Sequence, residues 1–152
     1  MNVNKKLLCA ALFIVSVTTF AHGAPNRPFA AGIVIGSPTG INGKYWIDSN
    51  NAIDAVISVV EKNEAYLHAD YLWHDYKAFP EPEEGKLPLY YGAGVRVQST
   101  SGIGLRGVIG INYLFADYPF DIFLELAPVL TFNDGAGLHF SGGLGGRYYF
   151  GQ

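Results

Sequence analysis

Four short stretches hold the side chains best suited to chemistry. His68, Asp70 and His74 alternate within "LHADYLWH" (Leu67–His74) and would share one face of an extended chain. At about 3.3 Å per residue the two imidazoles stand roughly 20 Å apart, too far for one metal ion. A metal site would need His68, Asp70 and a ligand from a neighbouring strand. The plainer reading is a buried hydrogen-bond network with neutral imidazoles. "HFS" (His139–Ser141) places a base beside a hydroxyl, and Glu125 precedes it as a possible orienter, which are the parts of an activated nucleophile. "PEPEEG" (Pro80–Gly85) gathers Glu81, Glu83 and Glu84. It suits weak calcium binding or, more simply, a solvated loop. "GIGLRG" (Gly102–Gly107) has dinucleotide-fingerprint spacing but leads into another strand-like run rather than a helix. No cofactor is expected.

The elements that must position these groups are strands. After residue 24 the hydrophobic pattern has period two and is broken by clusters of turn residues such as "SPTG", "SNN" and "QSTSG". The pattern predicts eight strands, at 29–36, 41–48, 52–60, 64–75, 88–97, 103–113, 120–130 and 137–150. Only the segment 76–87 is a long connection, and it is acidic. The class is all-β, one domain, with an up-and-down hairpin repeat.

The two faces of these strands differ sharply. One carries Ile33, Ile57, Val95, Ile109, Leu124 and their like, with no charge. The other carries Lys44, Asp54, His68, Asp70, Arg96, Arg106, Glu125, His139 and Arg147. In "YYGAGVRVQ" (Tyr90–Gln98) Arg96 shares its face with Gly92 and Gly94. A soluble ligand-carrying barrel would place the apolar face inside, and a transmembrane barrel would place it outside. The charged face is rich in glycine and has one or two charges per strand. That suits a narrow lumen better than a solvated surface. Buried charges need partners. Neighbouring strands suggest Lys44 with Asp54, Asp70 with Arg96, and Glu125 between Arg106 and Arg147. These nine residues are the expected lumen polar network. Tyr45, Trp46, Tyr66, Tyr71, Trp73, Tyr113, Tyr148 and Phe150 lie near strand ends, as an interfacial aromatic girdle would, although strand propensity alone also favours them.

The start of the chain reads as a cleaved export signal. Lys5 and Lys6 precede the apolar run Leu7–Phe20, and the small residues Ala21 and Gly23 lead up to Ala24. The run is shorter than a spanning helix needs. The expected organisation is a signal peptide at 1–23 and a barrel domain at 24–152. Removing 1–23 takes two lysines and no acids, leaving 8 Lys+Arg against 13 Asp+Glu, a net of −5. That mildly acidic balance gives no nucleic-acid footprint. The one cysteine, Cys9, leaves with the signal, so no disulfide is expected.

"GGRYYF" (Gly145–Phe150) resembles the C-terminal sorting signal of bacterial outer-membrane barrels, through Gly145, Tyr148 and Phe150. It departs at Leu144, where a polar residue is usual, and in the trailing Gly151–Gln152. The whole mature chain resembles small eight-stranded barrels of the outer-membrane protein A transmembrane type. "PTGINGKYW" (Pro38–Trp46) together with "LHADYLWH" is similar to an uncharacterised family of short exported bacterial proteins. The resemblance implies an eight-stranded antiparallel transmembrane barrel in the outer membrane. Its partners would be outer-membrane lipid and lipopolysaccharide, with the barrel-assembly machinery engaging the C-terminal signal. A monomer with a structural or surface-binding role and no catalysis is expected. "HFS" is also similar to the His-x-Ser of outer-membrane lipid A deacylases, which makes a hydrolase the alternative. A soluble periplasmic barrel holding a hydrophobic ligand is a third reading. If both termini are periplasmic, the long segment 76–87 is periplasmic as well, the reverse of most small barrels.

Overall fold

A computed structural model describes residues 27–60, 63–132 and 136–151. The expected signal peptide at 1–23 lies outside the described residues. Eight strands follow one another as β1 (Phe29–Ser37), β2 (Gly40–Trp46), β3 (Asn51–Val60), β4 (Glu64–Asp75), β5 (Leu89–Gln98), β6 (Gly102–Leu114), β7 (Phe120–Thr131) and β8 (Gly137–Phe150). Each pairs antiparallel with the next, and β1 pairs with β8, closing the sheet into a barrel. Closure leaves no free sheet edge. The predicted strand ends differ from these by at most two residues.

The turns follow local side-chain chemistry. Asp48 Oδ1 accepts hydrogen bonds from the backbone N–H groups of Asn50 and Asn51, both at 2.7 Å, and so bends the chain between β2 and β3. Gly102 has φ 66° where β6 leaves its turn, a left-handed conformation that glycine adopts without steric cost.

Antiparallel topology assigns the connections to two ends. Segments 47–50, 76–88 and 115–119 lie at the end that also holds both described termini. Segments 38–39 and 99–101, both short, lie at the opposite end, with the end of β3, the start of β4, the end of β7 and the start of β8. The long acidic segment therefore sits beside the termini. It is held there by a bridge between Lys86 and Leu114 and by a hydrogen bond from the Tyr113 hydroxyl to Glu84 O at 2.9 Å.

The faces of the strands decide what is inside. Ile33, Ile57, Val95, Ile109 and Leu124 all point outward, with Ile57 64% exposed. Lys44, Arg96, Arg106, Glu125 and Arg147 point inward and are buried. The barrel is thus apolar outside and mixed inside, the inverse of a soluble ligand carrier. Two apolar clusters fill parts of the lumen. Val34, Val56, Leu72, Tyr90, Val108, Phe123 and Ala127 form one, and Ala30, Trp46, Ala52 and Tyr149 form the other near the termini.

The expected aromatic girdle needs a correction. Tyr45, Trp73 and Tyr148 are exposed on the outer surface, but Trp46 and Tyr66 are buried in the lumen. Both stand at even positions on β2 and β4, the same parity as Lys44 and His68, so the pleat turns them inward. At the terminal end of the barrel outer rings meet one another: Trp73 stacks on Tyr91 at 6.0 Å, and Tyr148 meets Phe120 at 5.1 Å and Phe150 at 5.0 Å.

Candidate functional site

The lumen is where this chain concentrates its charges, and glycine makes room for them. Several inward side chains lie across a glycine of the adjacent strand. Tyr90 covers Gly110, Phe123 covers Gly145, Leu72 covers Gly92, Asp70 covers Gly94 and Arg96 covers Gly104. A Cβ on any of these glycines would press on the covering side chain or on the backbone beyond it. The glycine face is therefore the packing complement of the large residues, in a lumen just wide enough for side chains.

Arg106 on β6 is the hub of the middle lumen. It donates from Nε to Asp70 Oδ2 (2.7 Å), from Nη1 to Ser141 Oγ (2.8 Å) and from Nη2 to Glu125 Oε1 (2.6 Å). Glu125 Oε2 accepts from the Tyr90 hydroxyl at 3.0 Å. Arg147 on β8 anchors a second cluster nearer the termini. Its Nε donates to Asp121 Oδ1 (2.9 Å), and its Nη1 donates to Asp54 Oδ2 (2.5 Å) and to Asn42 Oδ1 (3.2 Å). Asp121 also accepts from the Tyr149 hydroxyl at 2.5 Å. The Arg147 guanidinium lies 4.0 Å from the centre of the Phe123 ring. Bidentate and forked contacts of this kind are what arginine provides and lysine does not.

Lys44 takes another course. Its Nζ lies 2.8 Å from His74 Nε2 and 3.3 Å from Asn112 Oδ1, and 4.2 Å from the centre of the Trp46 ring. An ammonium only donates, so Nε2 accepts and the His74 Nδ1–H points to Asn50 O at 3.0 Å.

The pairing expected from neighbouring strands is largely replaced. Lys44 and Asp54 are directly opposite in register, yet Asp54 pairs with Arg147 from across the lumen. Asp70 pairs with Arg106 rather than Arg96, because Arg96 stands opposite His68 while Gly94 stands opposite Asp70. The bare Gly94 leaves β5 open at that level, so Asp70 on β4 reaches past it to Arg106 on β6. Glu125 pairs with Arg106 but not with Arg147. In a closed narrow lumen, partners are chosen by height and by the room glycine leaves, not by strand adjacency alone.

The remaining predicted residues lie toward the end opposite the termini. His68 Nδ1 is 3.1 Å from the Tyr66 hydroxyl, and its Nε2 has no hydrogen-bond partner, standing 3.7 Å from Asp70 Oδ2. Arg96 donates from Nη1 to Gln98 Oε1 at 2.9 Å, and its buried Nε has no partner. His139 shares the inward parity of β8 but is exposed at the rim, so it stands outside the sealed network in which it was expected. Asn42 and Tyr149 belong to these clusters and were missed, while Tyr90 and Gln98, which share the alternating series of Arg96 in "YYGAGVRVQ", had no partner assigned. Period two extended one step from Lys44 and from Arg147 would have found Asn42 and Tyr149.

The catalytic arrangement suggested by "HFS" is not assembled. Ser141 Oγ accepts from Arg106 and donates to Ala127 O at 3.4 Å. Among the described residues no hydrogen bond joins His139 to Ser141 or to Glu125. Nor is there, among them, a group of three or more His, Cys, Asp or Glu side chains placed to hold a metal ion. That covers the His68 cluster and "PEPEEG".

At the terminal end a cleft of about 610 Å³ lies over the Trp46 and Tyr149 plug, walled by Tyr76, Phe115 and Tyr118 and edged by Arg27 and Lys86. Lys86 Nζ is 5.6 Å from the centre of the Tyr76 ring. Burial pushes the Tyr76 hydroxyl up to about 12, so it stays protonated.

The molecule has the architecture of small eight-stranded outer-membrane barrels: closed, antiparallel, apolar outside and polar within. No family model and no curated protein sequence matches the chain. Among solved structures it is similar to the N-terminal β-barrel domain of Pseudomonas aeruginosa OprF, at 19% identity and a TM-score of 0.55. The match covers 80% of this chain and 95% of that one. At this identity the likeness is one of fold.

Proposed function

We propose that the protein is an integral barrel of the bacterial outer membrane, with a structural or surface-binding role and no catalytic activity. The observation that carries this reading is the outward apolar face, which runs around all eight strands and, among the described residues, carries one charge, Asp75 at the terminal end of β4. Water would not tolerate so large a contiguous apolar surface on a monomer, whereas a bilayer requires it. In this reading residues 1–23 direct export and are removed. Gly145, Tyr148 and Phe150 engage the assembly machinery, and the monomer contacts lipid and lipopolysaccharide through the apolar band. The middle lumen is filled by Arg106, Asp70, Glu125, Tyr90 and Phe123, so no open pore is expected.

The test is fractionation of cells producing the full chain, followed by detergent extraction. The expected result is a protein that sediments with the outer membrane and runs at a heat-dependent position on gels. Recovery from the soluble periplasm would overturn the proposal.

A further inference from the structure

Arg96 is a buried cation that, like Lys44, meets no carboxylate among the described residues, but unlike Lys44 it stands near the mouth. It is 5% exposed. A guanidinium has five N–H donors. Arg106 uses all three of its nitrogens, whereas Arg96 uses only Nη1, toward a neutral amide. Its Nε is buried without an acceptor, and so is Nε2 of His68, its cross-strand neighbour. An unpaired buried cation is costly. Arg147 Nη2 also lacks a partner, but Arg147 is held by two carboxylates, whereas Arg96 meets none among the described residues and is left to receive an anion.

The surroundings fit that role. Gln98 is oriented by its Nε2 bond to Glu64 Oε2 at 2.8 Å, which directs Oε1 to Arg96. Tyr66 lies with its ring 5.9 Å from the Arg96 guanidinium. His139 faces the same mouth from β8, opposite the buried Val129. The mouth is reachable from the side. The β1–β8 ladder ends at Ser37 and Gly142, and the β2–β3 ladder ends at Ile41 and Ile57. Residues 137–141 of β8 and 58–60 of β3 therefore rise above the β1–β2 hairpin, and the rim is low between them.

We propose that this mouth is a binding site for a phosphate group, held by Arg96 with Tyr66, His68 and His139. Arg96 is on β5, His68 and Tyr66 on β4 and His139 on β8. The Tyr66 hydroxyl and His68 Nδ1 bond to each other, so that pair offers one further donor beside Arg96 and His139. A tetrahedral anion can accept from all three strands, while a planar carboxylate would occupy one pair. The phosphate is either free in solution or borne by a lipid headgroup that enters over the low rim. Only the second source rests on the outer-membrane reading.

The experiment uses the full mature chain in a phosphate-free glycoside detergent. Inorganic phosphate is titrated against chloride at equal ionic strength and followed through the Arg96 Nε–H and His139 ring resonances. A second arm reconstitutes the protein in bilayers with and without phosphatidic acid. Saturable shifts in the first arm assign free phosphate, and shifts only in the second assign a headgroup; either supports the site. Arg96→Gln should weaken binding by about tenfold or more, and His139→Ala by about threefold. His139 is exposed, so its variant decides the matter if Arg96→Gln does not fold. No saturable binding in either arm would overturn the site, as would binding indifferent to these substitutions in folded protein. A protein that failed to enter membranes would remove only the second arm.

Discussion

Arg106 and Arg96 sit in the same narrow lumen, on adjacent strands, and are solved by opposite means. Arg106 is enclosed by two carboxylates and a hydroxyl, with a glycine-lined gap that lets Asp70 reach it from two strands away. Arg96 stands nearer the open end, with one neutral partner and an idle Nε. The first arrangement fills the barrel interior and joins side chains from five strands, β4 to β8. The second leaves a donor set facing the mouth. The difference teaches that charge in this lumen serves two ends, sealing in the middle and reception at the rim.

The comparison breaks most visibly at Arg106. Arg106→Met strands Asp70 and Glu125 in a dry interior, and the expected loss is about 3–5 kcal/mol. Urea unfolding in micelles, read as the shift of the heat-resistant gel band, measures it. A loss below about 1 kcal/mol would show that the hub is solvated rather than sealed.

A smaller effect distinguishes the two arginines by coupling. In a double-mutant cycle Arg106→Met with Asp70→Leu should show an interaction of about 0.5–3 kcal/mol. The same cycle with Arg96→Met in place of Arg106→Met should add within about 0.5 kcal/mol. Coupling of Asp70 to Arg96 would restore the neighbouring-strand pairing that the structure replaces.

Glycine packing supplies a test of the same order. Gly110→Ala drives a methyl group into the Tyr90 ring and the Leu124 backbone, at an expected cost of about 1–3 kcal/mol. Because Tyr90 donates to Glu125, the Arg106 hub should loosen with it. A neutral Gly110→Ala in the same unfolding assay would show that the Tyr90 ring is not confined.

The smallest change is expected at Arg96 itself. Arg96→Met removes one hydrogen bond to a neutral amide, an effect of about 0.5–1.5 kcal/mol that the relief of an unpaired buried charge offsets. The expected unfolding midpoint is within about 1 kcal/mol of the parent. A loss as large as that of Arg106→Met would mean that Arg96 is structural and would blunt the contrast.

Much of this was legible before any tertiary contact was known. Alternation is a local property of a strand, so the eight strands and the two faces could be read from residues such as Ile57 against Asp54, or Val95 against Arg96. Glycine at Gly92, Gly94 and Gly110 already marked the charged face as a cramped interior. The parity of Trp46 and Tyr66 was equally readable, although a position near a strand end invited the wrong assignment to the outer girdle. Partnership was not readable. Which carboxylate Arg147 or Arg106 meets depends on the stagger of strands around a closed ring, on side-chain height, and on where glycine leaves a passage. Those quantities exist only once β8 has paired with β1. The sequence by itself determined which side chains face inward, because the pleat repeats every two residues. Only the tertiary structure decided that Asp70 goes to Arg106, that Asp54 goes to Arg147, and that Arg96 is left with donors to spare, because closure brings together residues that no strand-to-strand ladder connects.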